Sequence, residues 1–177
     1  MKFLTACCIQ VIDLGTQRIN ATNRDWCARK IMFTWEVVGD QTTEGRTHQK
    51  VYKAYDMRLT EGSELRQDLQ SWFGDEFNES NKRFDLKSIL GKYCLLALDS
   101  SSGVEVVGNQ SVQKITPLSS DLDQNTLAKP LTRYGIFMTS EPDMDLFDSL
   151  PVEIQEQIKN SPEYVSAQDR QSSEDYD

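Results

Sequence analysis

Over its first sixty residues the chain alternates apolar and polar positions with the period of two that is typical of β-strands. The longest such segment is residues 26–38, whose apolar positions fall on one side and are interrupted by Arg29. Segment 6–14 is short and rich in Ile, Val and Cys, segment 47–59 alternates between two faces, and Gly15 and Gly39 follow segments 6–14 and 26–38. The apolar side of segment 26–38 consists of Cys27, Ile31, Phe33, Trp35 and Val37. We therefore predict three strands in this part of the chain.

The period then changes to that of a helix. Leu65, Leu69 and Trp72 are spaced i, i+4 and i+7, which places them on one stripe, with Ser63 as a predicted N-cap and Gly74 as the stop. Asp85 predicts the cap of a shorter turn over residues 86–90.

Strand patterns resume at residues 93–98 and 104–115. The order of three strands, a helix and two strands is that of the OB-fold, a five-stranded Greek-key barrel. We therefore predict a mainly β protein with α-helices. Its core is expected to be a five-stranded OB-like barrel with a helix between strands 3 and 4.

The C-terminal third is more polar and predicts fewer elements. Residues 119–143 form a polar connector with one short strand at 134–138, and a last helix follows, with Ser149 as N-cap, Pro151 in its first turn and Pro162 as its end. Disorder is expected after Tyr164. The resulting organisation is a barrel domain at 1–118, a connector and helix packed on it at 119–165, and a disordered acidic tail at 166–177.

Negative charge is concentrated at the C-terminus. Residues 141–177 contain eleven acidic residues against Lys159 and Arg170, which accounts for the whole net charge of −9. Residues 1–140 balance at seventeen acids and seventeen bases. Blocks of like charge often serve as interaction arms, and we expect Glu174, Asp175, Tyr176 and Asp177 to bind a partner protein. A tail that only improves solubility is the alternative.

The sequence contains few features that indicate an enzyme. It contains none of the common nucleotide-binding, hydrolase or metalloprotease motifs, and His48, the single histidine, lies in a polar context that favours a surface position. The four cysteines lack metal-ligand spacing, so free thiols are expected. No apolar run approaches the ~20 residues of a membrane span. We assign no catalytic residue, metal ligand or cofactor, and expect an intracellular protein.

Cations and aromatic rings interleave on the predicted strands, as a single-strand-binding surface requires. Tyr52, beside Lys50 on the mixed face of the third strand, is the ring we most expect to be exposed. The alternative is that Trp35, Tyr55 and Tyr93 are core residues and the lysines are solvated. The predicted nucleic-acid contacts are Trp26, Arg29, Lys30, Lys50, Tyr52, Lys53, Tyr55, Lys92 and Tyr93.

Four blocks of sequence resemble a family of small bacteriophage and prophage proteins: residues 12–17, 65–72, 84–92, and 147–151 with 161–164. The similarity covers residues 10–165, and family members often have ESWRG where this chain has QSWFG at residues 70–74. Phe73 stands where a basic residue is usual, which removes one phosphate contact from the helix end. The resemblance implies a role in phage replication or recombination, in the cytoplasm of a bacterial host.

Two functions remain open at this point. The first is a non-enzymatic single-stranded DNA-binding protein whose acidic tail recruits phage or host replication and recombination proteins, with its oligomeric state open. The second is an acidic interaction protein or DNA mimic that inhibits a host nucleic-acid enzyme. A basic, ring-lined strand face would favour the first, and an acidic surface all round would favour the second.

Overall fold

The computed structural model describes residues 2–21, 24–38, 49–80, 84–98, 112–119 and 124–174. Six strands form a single open sheet: β1 (Lys2–Ala21), β2 (Arg24–Val37), β3 (Lys50–Asp56), β4 (Tyr93–Leu98), β5 (Val112–Thr116) and β6 (Gly135–Phe137). The helices of the described residues are α1 (Glu64–Phe73), α2 (Asp75–Ser80), α3 (Met144–Asp148), α4 (Val152–Lys159) and α5 (Pro162–Glu174), with 3₁₀ turns at Leu86–Ile89 and Gln124–Thr126. None of the helices in these ranges has the length and apolar character needed to cross a membrane.

The sheet has the order β3-β2-β1-β4-β5, and β6 joins it by pairing with β1. The β1–β2, β1–β4, β2–β3 and β4–β5 pairs are antiparallel, whereas the β1–β6 pair is parallel. The mainly β prediction is therefore confirmed. A closed barrel is not, because β3 and β5 remain the two edges of the sheet in the described residues.

Strands β1 and β2 form a hairpin much longer than the sequence predicts, with paired residues from Ala6–Val37 to Ala21–Arg24. The predicted end of the first strand at Gly15 is instead a bulge, where the register shifts and the glycine adopts a φ of +68°. The bulge lets β1 continue through Thr16 and Ile19, which have good strand propensity.

Each face of the sheet is buried in its own apolar core. We call the two faces the inner face and the outer face. The inner face carries the apolar residues of β2 that the alternation predicts, including Phe33 and Trp35, and α1 packs on it through Leu65, Leu69 and Trp72. The helix prediction is thus confirmed, and Gly74 ends α1 with a positive φ. Ser63 occupies the N-cap position, but its hydroxyl donates to backbone carbonyls rather than accepting from the helix.

The outer face of β1 and β2 is covered by the C-terminal segment. Ile12 and Met32 pack there with Phe137, Phe147 and residues of α4 and α5; the full buried cluster is Ile12, Leu14, Met32, Phe137, Phe147, Leu150, Ile158 and Tyr164. The predicted strand at 134–138 is confirmed as β6, whereas the sequence pattern missed α3, which Asp143 caps through Leu146 N.

Two predictions about the C-terminal helices are wrong. Ser149 follows α3 instead of capping the next helix, and α4 begins after Pro151. α4 ends at Lys159, before Pro162 as predicted, but Pro162 also starts α5, because proline suits a first helical turn and the Ser161 hydroxyl accepts from Tyr164 N. Disorder from residue 166 is therefore wrong as far as Glu174, and residues 175–177 lie outside the described residues. Residues 104–111 of the predicted fifth strand also lie outside them.

Candidate nucleic-acid interface

Several of the predicted DNA contacts share the outer face of β2 and β3. In the strand register Lys30 faces Asp56, Thr34 faces Tyr52 and Glu36 faces Lys50. These pairs alternate with the inward-facing pairs Phe33–Lys53 and Ile31–Tyr55, so Lys30, Lys50 and Tyr52 point to the outer side. Trp26 belongs to the same side by alternation along β2. The structure thus brings four of the nine predicted residues onto one strip.

Trp26 is the most accessible ring of this strip. Its side chain is 44% exposed near the end of the β1–β2 hairpin. Tyr52, by contrast, packs against the outer core and is only half-buried, and this burial raises the pKa of its hydroxyl. The expectation that Tyr52 is the most exposed ring is therefore wrong, because the C-terminal segment reaches its side of β3.

Tyr55 and Lys53 do not belong to this strip, contrary to the prediction. Tyr55 is 1% exposed, and its hydroxyl donates to Asp68 Oδ2 on α1 at 2.9 Å. Burial, with the nearby Asp68 charge, raises the pKa of Tyr55 strongly. Lys53 Nζ lies 2.7 Å from Asp68 Oδ2 and 2.9 Å from Glu64 Oε1. The two residues fasten α1 to β3, so Tyr55 has no face on which a base can stack.

Lys30 is on the strip but is paired. Its Nζ lies 2.6 Å from Asp56 Oδ1, and Arg58 contacts the other oxygen of the same carboxylate at 2.7 Å. Hydrogen bonds from Lys30 and Arg58 lower the pKa of Asp56. These three side chains line a shallow polar cleft of about 300 Å³ with Ala54 and residues 62–64. Glu64 also lines this cleft, so its two cations and two carboxylates balance.

Lys50 differs from the other predicted cations. Within the described ranges no ion pair involves it, and it is half-buried at the start of β3. Its cross-strand neighbour Glu36 is almost fully buried and accepts hydrogen bonds from Leu131 N and Thr132 N at 2.8 and 3.1 Å. The Glu36 carboxylate is therefore engaged by the backbone of the C-terminal segment.

Lys92 and Tyr93 lie apart from this strip, at the start of β4. Lys92 is exposed, whereas the Tyr93 ring packs against Cys7, Val38 and Ala128 and its hydroxyl donates to Ala128 O at 3.3 Å. Burial raises the pKa of the Cys7 thiol in this cluster to about 11. Tyr93 therefore helps attach the C-terminal segment to the sheet.

Arg29 is committed to a buried carboxylate that sequence reasoning missed. Asp13 is fully buried and accepts from Arg29 Nη2 at 2.7 Å, Thr139 Oγ1 at 2.7 Å and Gly15 N at 3.0 Å. Burial alone would raise the pKa of Asp13, but the hydrogen bonds from Arg29 and Thr139 outweigh it and hold this pKa below its usual value. The only sequence signal was an Asp inside a strand pattern.

Acidic side chains cover the surface of the C-terminal segment. Eight acids and two bases fall within residues 141–170. The predicted partner-binding residues follow: Glu174 ends α5, and Asp175, Tyr176 and Asp177 lie outside the described residues. The negative surface thus begins well before the predicted tail.

No protein-family model, curated protein or solved structure matches this chain.

Proposed function

We propose that the protein binds single-stranded DNA, without catalysing a reaction on it, at the part of the outer side of β2 and β3 that the C-terminal segment leaves open, from the hairpin end of β2 to the outward-facing residues of β3. The observation that carries this proposal is the grouping of exposed Trp26 with Lys30, Lys50 and half-buried Tyr52 on one side of two adjacent strands. Rings on which bases stack, flanked by cations that meet phosphates, are the requirements of such a surface.

The topology supports the same proposal. We interpret the order β3-β2-β1-β4-β5, with α1 between β3 and β4, as an OB-like barrel left open between β3 and β5. OB-folds are partly open barrels that bind oligonucleotides on the face of strands 2 and 3. Since a fold does not fix a function, the weight rests on the side chains of that face.

The charges on this surface determine how strongly it is expected to bind the phosphates of DNA. Asp56 and Glu64 balance Lys30 and Arg58, so Lys50 contributes the main positive charge of this surface and few phosphates are neutralised. Binding should then depend mainly on stacking at Trp26, worth about 1–3 kcal/mol per base, and only weakly on salt. The C-terminal acids are polyanionic like DNA, and we propose that they compete for the same cations and recruit replication or recombination proteins. The phage setting in a bacterial cytoplasm follows from the family resemblance.

Fluorescence anisotropy with labelled oligo-dT tests the stacking component. Trp26→Ala should weaken binding by roughly fivefold or more. The matched control is Phe3→Ala, which removes an even more exposed ring at the other end of the β1–β2 hairpin. Equal loss in both variants, with unchanged unfolding curves, would place the contact elsewhere.

A salt titration tests the electrostatic component. Lys50→Ala should lower the salt slope of binding by ~0.7, the value of one phosphate contact on a single strand. Lys87→Ala, which removes an exposed cation from the 3₁₀ turn, should leave the slope unchanged.

The second candidate function, a DNA mimic that inhibits a host nucleic-acid enzyme, is favoured by one observation. The eight acids against two bases in residues 141–170 form a strongly negative surface on one layer of the molecule. Under this alternative the wild-type protein binds no oligo-dT at any salt concentration. It instead displaces DNA from a basic target enzyme.

A further inference from the structure

A second surface lies in the C-terminal segment, between β6 and α3. A cleft of about 220 Å³ opens there between residues 132–135 and residues 143–149. Its floor includes Gln10 of β1, and its walls include Tyr134 and Leu146. We propose that this cleft is a docking site for a peptide segment of a partner protein, one that carries an apolar side chain flanked by Lys or Arg. The proposal does not depend on DNA binding.

Gln10 indicates that the cleft receives a polar group. The residue is 5% exposed, yet its side-chain amide makes no hydrogen bond to any of the described residues. The amide atoms are not among the fully buried unpaired atoms of the described residues, so they open on the cleft and are free to bind a ligand group there. Its donor and acceptor match the C=O and N–H of a peptide backbone.

The size and rim of the cleft favour a peptide over a small metabolite. Small-molecule sites usually enclose roughly 300–1,000 Å³, whereas this cleft has room for about one large side chain. Tyr134 lines the cleft and is exposed, and tyrosine is enriched in protein interfaces. Leu131 and Met144, which adjoin the lining residues Thr132 and Asp143 in sequence, are exposed as well.

Charge specifies the partner further. Residues 129–149 contain four carboxylates and two cations, Lys129 and Arg133. Asp143, Asp145 and Arg133 line the cleft itself, which leaves one net negative charge there, and Asp143 is held in position because it caps α3 at Leu146 N. A rim that is net negative selects a basic segment and steers its approach.

The probe is a fluorescein-labelled peptide, Lys-Lys-Leu-Lys-Lys, added to the full-length protein without DNA, with Asp-Asp-Leu-Asp-Asp and Lys-Lys-Ser-Lys-Lys as comparison peptides. We expect only the first to bind, and its addition to shift the NMR signals of the Gln10 side-chain amide and of residues 132–149. Asp145→Lys should weaken binding by roughly fivefold to thirtyfold. Glu153→Lys makes the same charge change on the exposed surface of α4 and should have no effect.

Gln10→Ala separates recognition by the amide from general charge attraction. It should weaken binding of Lys-Lys-Leu-Lys-Lys while the unfolding midpoint stays near that of the wild type. If Gln10→Ala does not fold, the comparison of Asp145→Lys with Glu153→Lys still tests the site. Three results would overturn the proposal: equal effects of Asp145→Lys and Glu153→Lys, equal binding of the serine and leucine peptides, or loss of self-association in Asp145→Lys, which would make a second copy of the chain the occupant. Trp26→Ala should leave peptide binding unchanged, so a failure of the DNA-binding proposal can be distinguished from a failure of the peptide-binding proposal.

Discussion

The Asp13 carboxylate and the Arg29 guanidinium lie 2.7 Å apart across the β1–β2 hairpin, with the carboxylate fully buried and the guanidinium partly exposed. Thr139, more than a hundred residues further along the chain, donates to the same carboxylate. One acidic group therefore joins the hairpin to the segment that follows β6.

Asp13→Asn should destabilise the protein by about 1.5–3 kcal/mol, because it weakens the hydrogen bonds that the buried carboxylate accepts from Arg29 and Thr139. The folded-state pKa of Asp13 is lowered, so its stabilisation is present above the unfolded-state pKa of about 3.9 and is lost as the pH falls through the folded-state value. Urea unfolding at pH 7 and at pH 3 should therefore show a smaller difference in the free energy of unfolding between wild type and variant at pH 3. Asp25→Asn, which breaks the exposed Arg18–Asp25 pair, should cost less than about 1 kcal/mol.

Gly15→Ala should destabilise the protein more than any other single glycine-to-alanine change in the described residues. Gly15 has a positive φ, and an added Cβ would overlap the Ser161 side chain at the start of α5. Gly62→Ala is the control, since it has a positive φ and open space and should cost about 1–2 kcal/mol. The second change Ser161→Gly should recover part of the loss in Gly15→Ala. A cost equal to that of Gly62→Ala would contradict the close contact.

Tyr55→Phe should lower the free energy of unfolding by about 1–2 kcal/mol, since the hydroxyl bonds the Asp68 carboxylate in a buried site. Oligo-dT affinity should not change. Tyr52→Phe should cost less than ~0.5 kcal/mol, because the phenol lies at the edge of the outer core. A loss of DNA affinity in Tyr55→Phe at unchanged stability would restore Tyr55 to the binding surface.

Two truncations separate charge from structure at the C-terminus. Deleting residues 166–177 removes four acids and one base, and deleting 171–177 removes three acids, so both change the net charge from −9 to −6. Only the first removes Ala167, which is buried on α5. We expect a lower melting temperature for the first alone. Both should tighten oligo-dT binding equally at low salt and match full length at high salt, if the acids compete with DNA. Unchanged binding in both would leave the acids without that role.

The sequence pattern predicts the elements whose side chains repeat regularly. The alternation through Phe33 and Trp35 and the stripe of Leu65, Leu69 and Trp72 correspond to β2 and α1, because burial on one face imposes that spacing. The part of the hairpin beyond Gly15 is not predicted, because a glycine in sequence indicates the end of a strand. Only the strand register shows that Gly15 is part of a bulge. Similarly, Pro162 is compatible with either a helix end or a helix start.

The candidate site was predictable only in part, for a related reason. Alternation places Lys50 and Tyr52 on one side and Lys53 and Tyr55 on the other, so the strand period already divides this cluster. Which side is solvated depends on α1 and on the C-terminal segment, both distant in sequence. The partners of Arg29 and Lys53, Asp13 and Asp68, are likewise set by tertiary contacts.

Because β1 contributes residues to both the inner and the outer core, the order in which the chain is synthesised on the ribosome matters. The inner core can assemble once β5 has emerged, but Ile12 and Met32 are covered only by residues 137–164. A nascent chain therefore exposes an apolar stripe along β1 and β2 until residues 137–164 have been translated. During that interval the stripe is open to chaperones and to other nascent chains. Residues 137–164 thus determine whether the newly made protein avoids aggregation.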